Sequence, residues 1–146
     1  MGIPCGSRRR AQRGRFVIVA FLYTHCPDVC PPLAEHLNQA LPELAGEVRV
    51  LAVSIEPRGD TPQAVRRFVR LHRLLPQFRY LIGSRRQLAP VWSAYHAAAS
   101  PNNLDLVDHT AYELLIDPKG VGRVTYDARE RAADVAHDIH DLAEQT

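Results

Sequence analysis

The chain has 146 residues, enough for one domain that buries about two-thirds of its unfolded surface and folds without disulfide support. Its formal net charge is +2, and the basic excess gathers at Arg8, Arg9, Arg10, Arg13 and Arg15 without interleaved aromatics, which excludes a nucleic-acid-binding face and leaves a solvated arm. No apolar stretch is long enough to span a membrane.

Residues 1–14 read as an irregular arm and 15–146 as a single domain. Ser7-Arg8-Arg9-Arg10 before an apolar segment faintly resembles a twin-arginine export signal, but the segment is short and lacks a small-residue cleavage site. It is better read as the first core strand. Cys5 lies in the arm with no apolar run before it, so neither a signal peptide nor a lipid-attachment site is legible. The cysteine count is odd, at three, so at least one thiol has no partner within the chain.

Phe16 to Leu22 is short, uncharged, β-branched and aromatic, which predicts a buried strand. It runs into Tyr23-Thr24-His25-Cys26-Pro27-Asp28-Val29-Cys30-Pro31-Pro32, then into Leu33, Leu37, Ala40 and Leu41 at helical spacing. Pro31 disfavours the helical region for Cys30, while both prolines suit a first turn, so Cys30 should stand at a helix N-terminus. The free N–H groups there favour a thiolate. Three residues separate the cysteines, a wider clamp than the two of thioredoxin-type redox sites and better suited to gripping a soft metal.

Pro42 should end or kink this helix, and Val48 to Ile55 is a second buried strand. Glu56 to Asp60 forms a loop, and Asp60 or Thr61 caps a helix with Pro62 at its first position. Val65, Phe68, Val69, Leu71 and Leu75 supply its apolar side; Arg66, Arg67, Arg70 and Arg73 supply its wet side. Phe78 to Ile82 is a third strand, and Ser84 caps a helix from Arg85 to Ala98 that Pro90 should split or bend. Ala111 to Tyr126 reads as a hairpin around Asp117-Pro118-Lys119-Gly120, followed by a helix over Arg129 to Gln145. This order implies an α/β fold, a mixed sheet with helices on both faces, whose ligands bind at the carboxyl ends of the strands. The thiol loop and the loop bearing Glu56 and Asp60 share that edge.

Among seven histidines, His72, His137 and His140 sit on amphipathic helices and read as solvated, while His36 and His96 have no legible partner. His25 adjoins Cys26, but strand alternation directs its ring away from that thiol. His109, in Asp105-Leu106-Val107-Asp108-His109-Thr110 before the hairpin, is either an ordinary loop histidine or a third ligand beside Cys26 and Cys30. On the residues alone the two readings weigh equally. Two thiolates and one imidazole would suit Cu(I), whereas structural zinc would want a fourth protein ligand.

These motifs closely resemble the Sco/SenC family of thioredoxin-like copper metallochaperones. The resemblance lies in Tyr23 to Pro31, in Val53-Ser54-Ile55-Glu56-Pro57 with Asp60-Thr61-Pro62, and in Asp108-His109 followed by Leu115 to Gly120, together spanning about residues 15 to 126. It implies a thioredoxin-like three-layer fold with a mixed central sheet, and Cys26, Cys30 and His109 as ligands of Cu(I)/Cu(II). It also implies a role in delivering copper to, or reducing the cysteines of, the copper A centre of cytochrome c oxidase. The partners would be the oxidase subunit carrying that centre and other copper chaperones, at the outer face of the cytoplasmic membrane. Members carry an anchor or export signal ahead of the first core strand; here about fifteen residues stand there, as in a truncated reading frame or after loss of the anchor. Glu56 stands where the family usually has Asp, with little expected effect on binding.

The rival is a thiol–disulfide oxidoreductase in which Cys26 and Cys30 are the catalytic pair without metal. A peroxiredoxin would place Thr or Ser three residues, and Pro seven residues, before its reactive cysteine; Tyr23 and Val19 occupy those positions before Cys26. A redox or copper sensor is the last alternative, and nothing in the chain names its partner.

Overall fold

Phe16–Leu22 forms β1, and all seven of its residues are buried, as an uncharged apolar run requires. In this computed structural model, which describes residues 14–25, 30–44, 48–95, 112–127 and 132–145, β1 is the central strand of a five-stranded sheet. β2 (Val48–Ser54) pairs with it in parallel and β4 (Tyr112–Ile116) antiparallel, while β3 (Phe78–Leu81) and β5 (Gly122–Asp127) form the edges. The irregular arm falls, apart from Gly14, outside the described residues, as does the loop at Ser100 to Asn103.

Register shows how the layers are built. Ala20 pairs with Ala52 and Ala52 with Tyr80; Phe21 pairs with Val53 and Val53 with Leu81. Successive residues of a strand point to opposite sides, so these two rows belong to opposite faces. The helices are α1 (Cys30–Ala40), α2 (Pro62–Leu71), α3 (Arg85–Ala94) and α4 (Ala132–Glu144). Phe68 of α2 meets Tyr80 edge-on at 5.8 Å, which puts α2 on the Tyr80 face. α1 lies beside it, because the Leu75 N–H donates to Asn38 Oδ1 at 2.8 Å. Tyr126, paired with Glu113 and through it with Ala20, donates to Asp138 of α4 at 2.9 Å, so α4 covers the same face. Tyr95, which caps α3, packs its ring against Phe21 at 5.8 Å on the other side. The expected helices on both faces are present.

Each helix begins and ends for a local reason. In α1, Leu33, Ala34, Leu37 and Ala40 are buried along one stripe, and Pro42 sits in the 3₁₀ turn Leu41–Leu44 that stops it. Leu37→Ala would open a cavity under that stripe, at about 3 kcal/mol. Thr61, not Asp60, caps α2: its hydroxyl accepts from the Ala64 N–H at 3.1 Å, with Pro62 in the first turn. Ser84 and Gln87 form a reciprocal capping box on α3.

Four expectations are corrected. Leu71 is 71% exposed rather than on the apolar side of α2, since the helix ends there and the buried Leu74 takes its place after a turn through Arg73. His72 is not solvated: its side chain is 12% exposed, packed on Phe68 at 4.4 Å and 2.8 Å from Glu35 Oε1. Pro90 does not split α3, whose buried Leu88, Val91 and Trp92 hold the turn together despite the missing N–H. That helix also stops at Ala94 rather than Ala98, and residues 96–111 lie outside the described ones.

Candidate metal centre

The site begins where β1 ends. Its carboxyl end continues through Tyr23, Thr24 and His25 toward the thiol loop, and Cys30 is the first residue of α1. The anticipated strand-to-helix handover at the cysteines is therefore present in the backbone of Cys30. Cys26 and His109 lie outside the described residues, as does His96. Among the described residues no three His, Cys, Asp or Glu side chains come together to hold a metal ion.

The described part of the edge is organised by Asp60. Asp60 is 3% exposed, and its carboxylate collects donors from β2, from β3 and from Thr24 just beyond β1. Its Oδ1 accepts from the Thr24 N–H at 2.8 Å and from the Thr24 hydroxyl at 2.7 Å. Its Oδ2 accepts from the Ser54 hydroxyl at 2.5 Å and, at 3.4 Å, from the Tyr80 hydroxyl. A buried carboxylate is tolerable only when its lone pairs are filled in this way. Trp92 of α3 reaches under the sheet edge and donates from Nε1 to the Ser54 carbonyl at 2.9 Å. The carboxyl ends of β1, β2 and β3 and the last turn of α3 are thus tied into one polar knot.

The loop after β2 folds around the same knot. Glu56 Oε1 accepts from the Arg58 N–H at 3.1 Å and Oε2 from the Gly59 N–H at 2.5 Å, so the carboxylate closes its own turn. His25 is exposed, with Nδ1 3.0 Å from the Thr24 hydroxyl oxygen. A Cβ on Gly59 would press on Glu56 Oε2 and stand 3.1 Å from His25 Nδ1, so a side chain there would displace the ends of both.

Sequence reasoning placed Asp60 on this edge but offered it a capping role, and it missed Thr24, Tyr80 and Trp92 altogether. The one available signal was a second helix-capping candidate beside Thr61: two caps for one helix leave one carboxylate for other work. No signal in the chain announces that Trp92, thirty-eight residues from Ser54, would close the knot.

A mixed sheet with its thiol-bearing helix start at the end of the central strand is a thioredoxin-like arrangement, and solved structures share it. Bradyrhizobium japonicum ScoI, solved with copper bound, superposes with a TM-score of 0.74 at 24% identity, covering 91% of this chain and 88% of that one. A SCO1/SenC family lipoprotein from Bacillus anthracis superposes at 0.75 with 19% identity over 92% of this chain and 84% of that one. The SCO1/SenC family profile matches residues 7–144, and the chain belongs to that family. Bovine mitochondrial SCO2 homolog is 35% identical over 133 residues, 84% of this chain and 48% of that protein. The human mitochondrial SCO1 homolog is 31% identical over 136 residues, 86% of this chain and 44% of that protein. The chain spans about half the length of these curated relatives. Among the described residues no helix is long and apolar enough to cross a membrane.

Proposed function

We propose that this protein is a copper chaperone that holds a single copper ion through the thiolates of Cys26 and Cys30 and the imidazole of His109, for assembly of the copper A centre of cytochrome c oxidase. The observation that supports it is the position of Cys30 as the first residue of α1 at the carboxyl end of the central strand. Free N–H groups at that helix start favour the thiolate that a soft metal requires. Two thiolates and one imidazole make a soft three-coordinate set that fits Cu(I) as cargo. The structural neighbours from Bradyrhizobium japonicum and Arabidopsis thaliana were solved with copper bound, and another, BsSco, is a member of the Sco family of cytochrome c oxidase assembly proteins. The partner is then the oxidase subunit carrying the copper A centre, with other copper chaperones upstream. The mitochondrial relatives and the lipoprotein neighbour support a place at the outer face of the cytoplasmic membrane.

The test is metal analysis of anaerobically reduced protein. About one copper per chain is expected, with tight binding lost in Cys26→Ser, Cys30→Ser and His109→Ala. Reduced protein that takes up no Cu(I) against a competing chelator refutes the reading.

A thiol–disulfide oxidoreductase acting through Cys26 and Cys30 is the second reading. The same helix start supports it, as does the disulfide switch identified in BsSco. Turnover of a cysteine-containing oxidase fragment that survives His109→Ala would favour it, since only metal binding needs the imidazole.

A further inference from the structure

We propose that the outward face of α2, with the arginines that continue from it around the β3 edge, is a docking surface for an anionic phospholipid bilayer. Residues 61–95 hold seven arginines and no lysine, aspartate or glutamate, in a chain whose net charge is only +2. All seven are exposed, and none of them pairs with a carboxylate among the described residues. Helical spacing sets the face. Phe68, Val69 and His72 turn toward the sheet and α1, where Phe68 meets Tyr80 and His72 meets Glu35. Arg66, Arg67, Arg70 and Leu71 occupy the opposite side of the same helix. Leu71 is 71% exposed and stands one turn after Arg67, an apolar side chain set among guanidinium groups.

The positive charge continues beyond the helix. Arg73 lies in the turn that follows it, Arg79 on the edge strand β3, and Arg85 and Arg86 at the start of α3. The other edge of the sheet is opposite in sign. There α4 is held to β5 through Tyr126 and Asp138, and it carries Asp134, Asp138, Asp141 and Glu144 with no lysine or arginine. A chain charged in this way turns its β3 edge toward an anionic surface. A bilayer fits the face better than an acidic protein does. The planar fork of arginine matches phosphate oxygens, and an apolar layer lies just beneath them for Leu71. An acidic protein would have to offer a pocket for Leu71 between its carboxylates.

Docking in this way leaves the thiol edge open. β1, β2 and β3 run parallel, so their carboxyl ends share one edge, and β1 lies two strands in from β3, roughly 10 Å. α2 starts at that edge and runs back from it for ten residues, about 15 Å, so Arg70 and Leu71 stand at its far end. Nothing in this surface depends on copper, and its test is read without metal.

The experiment sediments the chain with vesicles of phosphatidylcholine alone, and with vesicles containing about 30% phosphatidylglycerol, in about 0.1 M salt. The chain should pellet with the second and not with the first. Raising the salt to about 1 M, which shortens the screening length from about 10 Å to about 3 Å, should release it. Arg66→Gln, Arg67→Gln and Arg70→Gln together should weaken binding about 100-fold, about fivefold for each charge lost at the surface. Arg8→Gln, Arg9→Gln and Arg10→Gln together change the net charge equally and should cost less than about tenfold. Leu71→Ser should weaken binding about fivefold with the same salt dependence. Trp92, the single tryptophan, is buried, so the emission of Leu71→Trp reports on this face and should shift to the blue on the anionic vesicles. No binding to the anionic vesicles, equal losses from the two triple variants, or an unshifted emission in the bound Leu71→Trp chain would each overturn the proposal. Capture of the chain by soluble polyglutamate but not by the vesicles would assign the face to an acidic protein and overturn the lipid reading.

Discussion

Thr24 and Asp60 stand 36 residues apart in the chain and meet through two hydrogen bonds to one carboxylate oxygen, at 2.8 Å from the Thr24 amide and 2.7 Å from its hydroxyl. Thr24 lies two residues before Cys26, so this contact fixes the backbone from which the thiol loop departs.

Removing the carboxylate should therefore cost stability. Asp60→Ala strands the buried Ser54 hydroxyl and the half-buried Thr24 N–H and hydroxyl, for a loss of about 3 kcal/mol. Asp60→Asn keeps the shape and one acceptor oxygen, so about half that loss is expected. Urea denaturation of both variants checks the order; equal losses would show that shape, rather than lone pairs, holds the edge.

Arg73 adopts φ 51°, the left-handed conformation at the end of α2, where the Leu74 N–H closes back on the Val69 carbonyl. Glycine occupies this position in most helices that end this way, because a Cβ is disfavoured there by about 1 kcal/mol. Glycine's greater freedom in the unfolded chain returns part of that, so Arg73→Gly should stabilise by about 0.5 kcal/mol. Asn38 would still donate to the residue 73 carbonyl. A small rise in the urea midpoint with unchanged slope is the expected result, and a fall would mean that the guanidinium makes a contact worth more than the strain.

These two sites mark the boundary of what could be read in advance. Strand β1, the caps at Thr61 and Ser84, the hairpin turn at Asp117 and the helix start at Cys30 follow from local chemistry: alternation, hydroxyl caps, prolines in first turns. Leu71 misled because periodicity counts residues without knowing where the helix stops, and it stops one residue later at the cap His72. His72 misled in the opposite sense, since its partner Glu35 comes from another helix. The Asp60 knot joins β1, β2, β3 and α3, and no window of sequence contains all of them. Of the proposed ligands, the resemblance to the Sco/SenC family named all three, and the described residues reach only the backbone of Cys30.

Trp92 is the single tryptophan of the chain, 5% exposed, with Arg85 5.9 Å above its ring. Its Nε1–H fills the Ser54 carbonyl on the residue whose hydroxyl serves Asp60. Trp92→Phe removes that donor and some ring volume, for a loss of about 2 kcal/mol. The weakened end of β2 should also loosen the Asp60 knot, so amide exchange at Thr24 is expected to speed up with it. Faster global unfolding with Thr24 exchange unchanged would separate the two effects and show Trp92 to be a packing residue only.

Asp117 gives the stability of the hairpin an acid limit of its own. Its carboxylate accepts from the Val121 N–H at 3.0 Å, from the Lys119 N–H at 2.9 Å and from Arg123 Nη1 at 3.2 Å. The Val121 amide is the largest of the effects holding its pKa below the ordinary 3.8, with Arg123 and the Lys119 amide adding to it against an opposing burial effect. The native state therefore gives up this proton more readily than the unfolded chain. Above pH 3.8 both states are ionised at this residue and its full contribution is present. As pH falls below that value the unfolded chain protonates first, which favours unfolding, and the contribution is lost as pH passes through the lowered native value. Asp117→Asn should be less stable than the parent at neutral pH by an amount that stays constant down to about pH 4 and then shrinks. Urea midpoints of both chains across that range give the difference directly, with the other carboxylates cancelling. A gap that stayed constant to the lowest pH would mean that the hairpin depends on the shape of residue 117 and not on its charge.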